Sequence, residues 1–97
     1  FVVSDWGAVE QLQKQGVADS RADCAKVAIN AGLDLNMCDR CYIEELKQLV
    51  IDGEVSEETV NTAVKRILRV KFAIGLFERP YRENFSYDRE KHCINLL

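Results

Sequence analysis

The sequence has a single proline and only five glycines in 97 residues. That scarcity excludes a collagen-like repeat and a proline- or glycine-rich linker protein. No apolar stretch approaches the roughly 20 residues needed to span a bilayer. Neither sign of charge dominates: 13 basic against 16 acidic residues give a net charge of −3, with the acidic excess in the first half. Such a balance gives no push towards nucleic acid or an anionic membrane. An initiating methionine is also missing. The chain opens inside an apolar run, Phe1-Val2-Val3, and stops on Cys93-Ile94-Asn95-Leu96-Leu97. The expectation is a chain cut at both ends, for which a missing leader is uninformative.

What is present suits a soluble globular protein. The chain is 47% hydrophobic and 30% charged, enough for one domain, or part of one, with a modest core. Four cysteines stand at 24, 38, 41 and 93. An even count raises the question of disulfides. The spacings follow no secreted scaffold and Cys24 falls in an expected helix, so free thiols are expected. The compartment stays open.

Along the chain, residues 1–4 read as a short strand apolar on both faces, as in a parallel sheet. Asp5-Trp6-Gly7 ends it, and a short, partly helical loop follows to Gly16. A helix is expected over about 20–31. Ser20 caps it, Asp23 stands at the third position of a capping box, Ala25, Val27, Ala28 and Ala31 form its apolar face, and Gly32 closes it. Residues 33–37 form a second strand candidate. After the loop Cys38-Asp39-Arg40-Cys41, a helix over about 42–52 carries Leu46, Leu49 and Val50, and Gly53 ends it. Ser56 caps the next helix, with Glu57 and Glu58 in its first turn. There Val60, Ala63, Val64, Ile67 and Leu68 recur at helical spacing to about residue 74, before Gly75. Residues 76–87, with Pro80, read as a strap. Asp88 caps a last helix over 89–97.

Strand, helix and strand of these lengths imply a right-handed parallel crossover. Two parallel strands do not make a stable sheet alone. The fold class expected is therefore α/β, as an incomplete segment of either a (β/α)8 barrel or an open sheet.

In both architectures the working groups stand at the carboxyl ends of strands, which is where Asp5 lies. An indole beside a carboxylate suits a sugar: the ring covers apolar C–H groups while the acid attacks or bonds hydroxyls. Gly7 permits a sharp turn. The residues alone leave a plainer alternative, because Asp after a strand is a common turn and cap residue and Trp is often core.

Other features carry less. Cys38 and Cys41 form a C-x-x-C, but a zinc ribbon needs two such pairs and the sole histidine, His92, lies some fifty residues on. A redox pair at a helix start fits the position only roughly, and a plain loop is the preferred reading. If that loop faces the site, Tyr42 is either a sugar contact or a packing residue. Asp34 reads as a structural carboxylate that bonds nearby backbone. Residues 46–52, the turn Gly53-Glu54-Val55 and residues 56–70 have the outline of a helix-turn-helix DNA-binding unit, with Lys65, Arg66, Arg69 and Lys71 as its basic residues. Against it, Glu57 and Glu58 open the recognition helix and would repel phosphates.

Three runs in order, VVSDWGAV, AINAGLDLNM and LVIDGEVSEETVNTAVKRILRVKFAIGLFERPY, resemble the end of the catalytic barrel of family 3 glycoside hydrolases. REKHCINLL resembles, more loosely, the helix entering that family's second domain. The resemblance implies that 1–4 and 33–37 are the last two strands of the (β/α)8 barrel. Residues 1–75 would then finish the catalytic domain and 76–97 would form the linker and the start of a second domain. It also implies that Asp5 is the catalytic nucleophile and that Trp6 lines the subsite of the transferred sugar. The reaction implied is retaining hydrolysis of terminal β-D-glycosidic bonds, of β-glucosidase or exo-glucanase type, with β-xylosidase activity compatible. The second carboxyl group and most sugar contacts would lie outside this chain. The partner implied is a carbohydrate, a β-glucoside or oligosaccharide, with no cofactor or metal, no nucleic acid and no membrane. Oligomeric state and compartment are left open. A third class, a non-catalytic remnant serving as an interaction piece, is also compatible with the residues.

Overall fold

The computed structural model describes residues 1–81. The expected helix over 89–97, with His92 and Cys93, and the end of the strap lie outside the described residues. Four helices follow in order: α1 Ala8–Lys14, α2 Arg21–Asn30, α3 Cys41–Ile51 and α4 Glu57–Ala73.

The two expected strands are the main correction. Among the described residues they reduce to one parallel bridge, Val3 with Leu35. The residues expected to be covered on both faces are open, with Phe1, Val2 and Val3 exposed to 54%, 56% and 44%. The physical reason is the lack of neighbours: each segment has one partner, and a parallel pair by itself offers too few rungs to persist. The rungs that form are Leu35 N–H to Val2 C=O and Ser4 N–H to Leu35 C=O, both 3.0 Å.

The segment expected to be a partly helical loop contains a two-turn helix, α1, whose buried residue is Val9. Gly7 precedes it at φ 62°, in the left-handed region that a residue without Cβ enters freely. Helix α2 starts where its cap dictates: the Ser20 hydroxyl accepts from Asp23 N–H at 3.1 Å. Its inward face is Cys24, Ala25, Ala28 and Ile29, one residue round from the face expected, and Val27 is exposed. Helix α3 begins one residue early, at Cys41, which is fully buried; Leu49, further along the helix, is buried too. In α4 the Ser56 hydroxyl accepts from Thr59 N–H at 3.0 Å. Of the stripe expected there, Ala63 is buried and Val60 packs against the core, while Val64 and Leu68 stay exposed. Gly75 N–H bonds Phe72 C=O and Leu76 N–H bonds Lys71 C=O, each at 3.0 Å, which closes the helix end.

The core is small and centred on α2, which packs against α1, α3 and α4. Val55, buried in the α3–α4 turn, donates to Leu49 C=O at 3.1 Å and fixes that turn. No helix among the described residues is long and apolar enough to cross a membrane.

Candidate functional site

The bridge delivers the chain to Ser4, and there the backbone ladder hands over to a side chain. Met37 N–H donates to the Ser4 hydroxyl at 2.8 Å, and that hydroxyl donates to Asp5 C=O at 2.9 Å. Asp5 C=O also accepts from Ala8 N–H at 3.2 Å, and Gly7 N–H donates to Met37 C=O at 3.0 Å. The Asp5-Trp6-Gly7 turn is thus stitched to residue 37 on one side and to the start of α1 on the other.

Asp5 stands exposed on this turn, and one carboxylate oxygen, Oδ1, accepts from Trp6 N–H at 2.7 Å. The Trp6 side chain is 71% exposed. A charged group and a large apolar ring are therefore presented side by side at the carboxyl end of the parallel pair. Folding alone does not require the indole there; a core tryptophan would be covered.

A second carboxylate secures the turn from below. Gly7 has no side chain to cap α1, and the Asp39 carboxylate supplies the acceptor instead, taking Glu10 N–H at 3.3 Å. Its other oxygen takes Cys41 N–H at 3.2 Å, at the start of α3. One carboxylate thus closes two helix ends. Burial pulls its pKa up, but the polar groups around it, Cys41 foremost and the Cys41 and Glu10 amides that donate to it, outweigh this and hold Asp39 below its ordinary range.

Asp34 anchors the segment that enters the bridge, in the structural part the sequence led us to expect. Its carboxylate accepts from Val2 N–H at 2.9 Å and pairs with Arg66 at 3.1 Å. The bond from Val2 lowers its pKa, burial opposes, and Arg66 lowers it further. One of the basic residues counted towards DNA binding is therefore turned to an internal partner, and Glu57 and Glu58 are exposed at the start of α4. Tyr42 packs: it is half-buried, and its hydroxyl donates to Leu33 C=O at 2.8 Å. Burial pushes its pKa up, with the negative charges of Asp34 and Asp39 adding to the effect.

Cys24, Cys38 and Cys41 are free thiols. Cys38 is exposed with φ 73°, and Cys41 is buried. Burial raises Cys41 to about 11, with Asp39 adding to the shift and Arg21 opposing it. The loop therefore pairs an open thiol with a closed one.

Hollows open on the surface of the described residues, of which two bear on the site. One, about 350 Å³, is apolar and lies between Val2, Val9, Leu12, Ala28 and Leu33. The other, about 310 Å³, includes Asp34, Ser56, Thr59 and Arg66. Neither is lined by Asp5 or Trp6. Sequence reasoning singled out Asp5, Trp6, Asp34 and Tyr42 but passed over Ser4 and Asp39. For Asp39 a signal existed, an acidic residue two positions before a helix start.

Residues 1–70 match the family described as the Glycosyl hydrolase family 3 N terminal domain. A periplasmic beta-glucosidase of Salmonella typhimurium is 39% identical over 81 residues, covering 84% of this chain and 11% of that protein. The thermostable beta-glucosidase B of Acetivibrio thermocellus is 37% identical over 94 residues, covering 95% of the chain and 10% of that protein. A crystal structure of a beta-glucosidase from Listeria innocua in complex with isofagomine superposes with a TM-score of 0.84 at 42% identity, over 96% of this chain and 13% of that one. The chain spans about a tenth of the length of these relatives.

Proposed function

The chain belongs to the Glycosyl hydrolase family 3 N terminal domain family, and from that premise we propose that it carries the nucleophile of a retaining β-glucosidase, Asp5, with Trp6 beside it as a wall of the sugar subsite. The observation that carries this reading is the exposed carboxylate and indole fixed together at the carboxyl end of the Val3–Leu35 pair. Other structures of the Listeria beta-glucosidase were solved with glucose and, for a mutant, with laminaribiose. These ligands support a β-glucoside or short glucan as the substrate class here.

In this mechanism Asp5 Oδ1 is held by the Trp6 amide, and Oδ2 forms a bond to the anomeric carbon. The bond from that carbon to the leaving oxygen breaks, and a second carboxylic acid about 5 Å away gives the leaving oxygen its proton. Water then attacks the same carbon, giving its proton to that second group. The bond to Asp5 breaks and the anomeric configuration is retained. Trp6 covers the apolar face of the sugar ring, which orients the ring without spending a charged contact.

Residues 1–75 are read as the end of the catalytic (β/α)8 barrel, with the Val3–Leu35 bridge as the seed of its last two strands. Residues 76–97 are read as the linker and the start of a second domain. The partner carboxyl group and most sugar contacts come from other parts of the protein, so the isolated 97-residue chain hydrolyses nothing.

The test is made on the intact protein that contains this chain. Hydrolysis of a β-glucoside followed by NMR should release the β-anomer of glucose first. Asp5→Asn should abolish turnover while isofagomine still binds. Release of the α-anomer first, or full activity in Asp5→Asn, overturns the reading.

A further inference from the structure

We propose that Ser4 is a positioning residue for the displacement at the anomeric carbon: its hydroxyl, fixed between Met37 N–H and Asp5 C=O, sets the direction in which the Asp5 carboxylate leaves the backbone. This rests on Asp5 as nucleophile and deepens that reading.

Three bonds converge on Ser4. Its N–H donates to Leu35 C=O at 3.0 Å, its hydroxyl accepts from Met37 N–H at 2.8 Å, and the same hydroxyl donates to Asp5 C=O at 2.9 Å. In a regular parallel ladder the Met37 amide would meet a backbone carbonyl. Here a side-chain oxygen takes that place and passes its own proton on to the next residue. The consequence falls on Asp5. Its carbonyl, held by Ser4 and by Ala8 N–H at 3.2 Å, cannot swing. The backbone torsion between its Cα and carbonyl carbon is therefore fixed, and the Cα–Cβ bond is aimed. Trp6 N–H then fixes the carboxylate itself at 2.7 Å.

The geometry matters because the attacking oxygen must lie about 3–3.5 Å from the anomeric carbon, in line with the departing bond. A misplacement of about 1 Å costs about 100-fold in rate. Among the described residues Asp5 is exposed and its carboxylate is held by a backbone N–H, that of Trp6, so within this segment its aim depends on the backbone. Alanine at position 4 would delete both bonds of the hydroxyl. Threonine would keep a hydroxyl on the same carbon.

The experiment measures the rate at which an activated 2-deoxy-2-fluoro-β-glucoside traps the intact enzyme, with the labelled peptide mapped each time. Ser4→Ala should trap about tenfold more slowly or worse, about 1.4 kcal/mol at the transition state, with the label still on Asp5. Ser4→Thr should recover most of the rate. Isofagomine affinity should change less than about threefold in both, because the aim of the nucleophile matters in the transition state rather than in ligand binding. If Ser4→Ala does not fold, Ser4→Cys, a smaller change with a weaker donor, should show the same direction of loss. Trapping at the wild-type rate with label on Asp5, in whichever of these folds, overturns the Ser4 proposal and leaves Asp5 as nucleophile. Label on another residue in the unaltered enzyme overturns the Asp5 reading itself. Slowing matched by an equal loss of isofagomine affinity assigns Ser4 a purely structural part and also overturns the proposal.

Discussion

Alkylation of the two cysteines of the Cys38–Cys41 loop should separate them sharply. Cys41 is fully buried, and burial with Asp39 nearby raises its pKa from an ordinary 9.0 to about 11. The thiolate is the reactive species. At pH 8 an ordinary thiol of pKa 9.0 is about 10% ionised, whereas one at about 11 is about 0.1% ionised. The native Cys41 should thus react at most about one hundredth as fast as Cys41 in the unfolded chain, before any added slowing from lack of access. The assay is a time course with a monobromobimane label at pH 8, quenched and read by peptide mass spectrometry, in buffer and in urea. Cys38, exposed on its left-handed turn, should label within the early time points in both conditions. Raising the pH towards 11 should open Cys41 to the reagent. Equal labelling of Cys41 in buffer and in urea would contradict a closed Cys41 thiol, as would ready formation of a Cys38–Cys41 disulfide in a mild redox buffer. Either result would restore the redox reading of the C-x-x-C.

Two further perturbations follow from the bonds that hold the site. Tyr42→Phe removes the donor to Leu33 C=O and should lower stability by about 0.5–1.5 kcal/mol, read as a shifted urea midpoint with an unchanged slope. Asp34 has its pKa depressed in the folded state. Its contribution is therefore full above the unfolded carboxylate pKa and is lost as pH falls through its lower folded value. Thermal melts across the acid range should show this loss in the unaltered protein and a flatter acid limb in Asp34→Asn; identical acid limbs would remove Asp34 from the account.

The sequence was most legible where a rule is local. Ser20 and Ser56 cap the helices they were expected to cap, because a hydroxyl reaching the third amide needs nothing beyond one turn of chain. Gly53 and Gly75 close helices for an equally local reason: each takes a positive φ. Asp5 and Trp6 were singled out through their place in the motif order, and both stand exposed on the turn after the Val3–Leu35 bridge. The strands were over-read, since a strand needs neighbours and the described residues offer each segment one. The stripe of α4 was over-read in the same way: Val64 and Leu68 recur at core spacing but find no cover among the described residues. Helix α1 was only partly seen, because it is two turns long and begins at a glycine that offers no side-chain cap. Ser4 and Arg66 were illegible as support residues because their partners lie about thirty positions away, at Met37 and Asp34; Asp39 carried a local signal through its bond to Cys41 N–H, but its bond to the distant Glu10 N–H carried none. No local pattern encodes such pairs; they follow from the fold.

The central claim is that Asp5 forms the bond to sugar. Its most direct test is to trap the intact enzyme with a 2-deoxy-2-fluoro-β-glucoside, digest it and sequence the peptide that has gained the sugar mass. A single modified peptide containing VVSDWG should appear, with the sugar ester on Asp5. A stable label on any other carboxylate would contradict it.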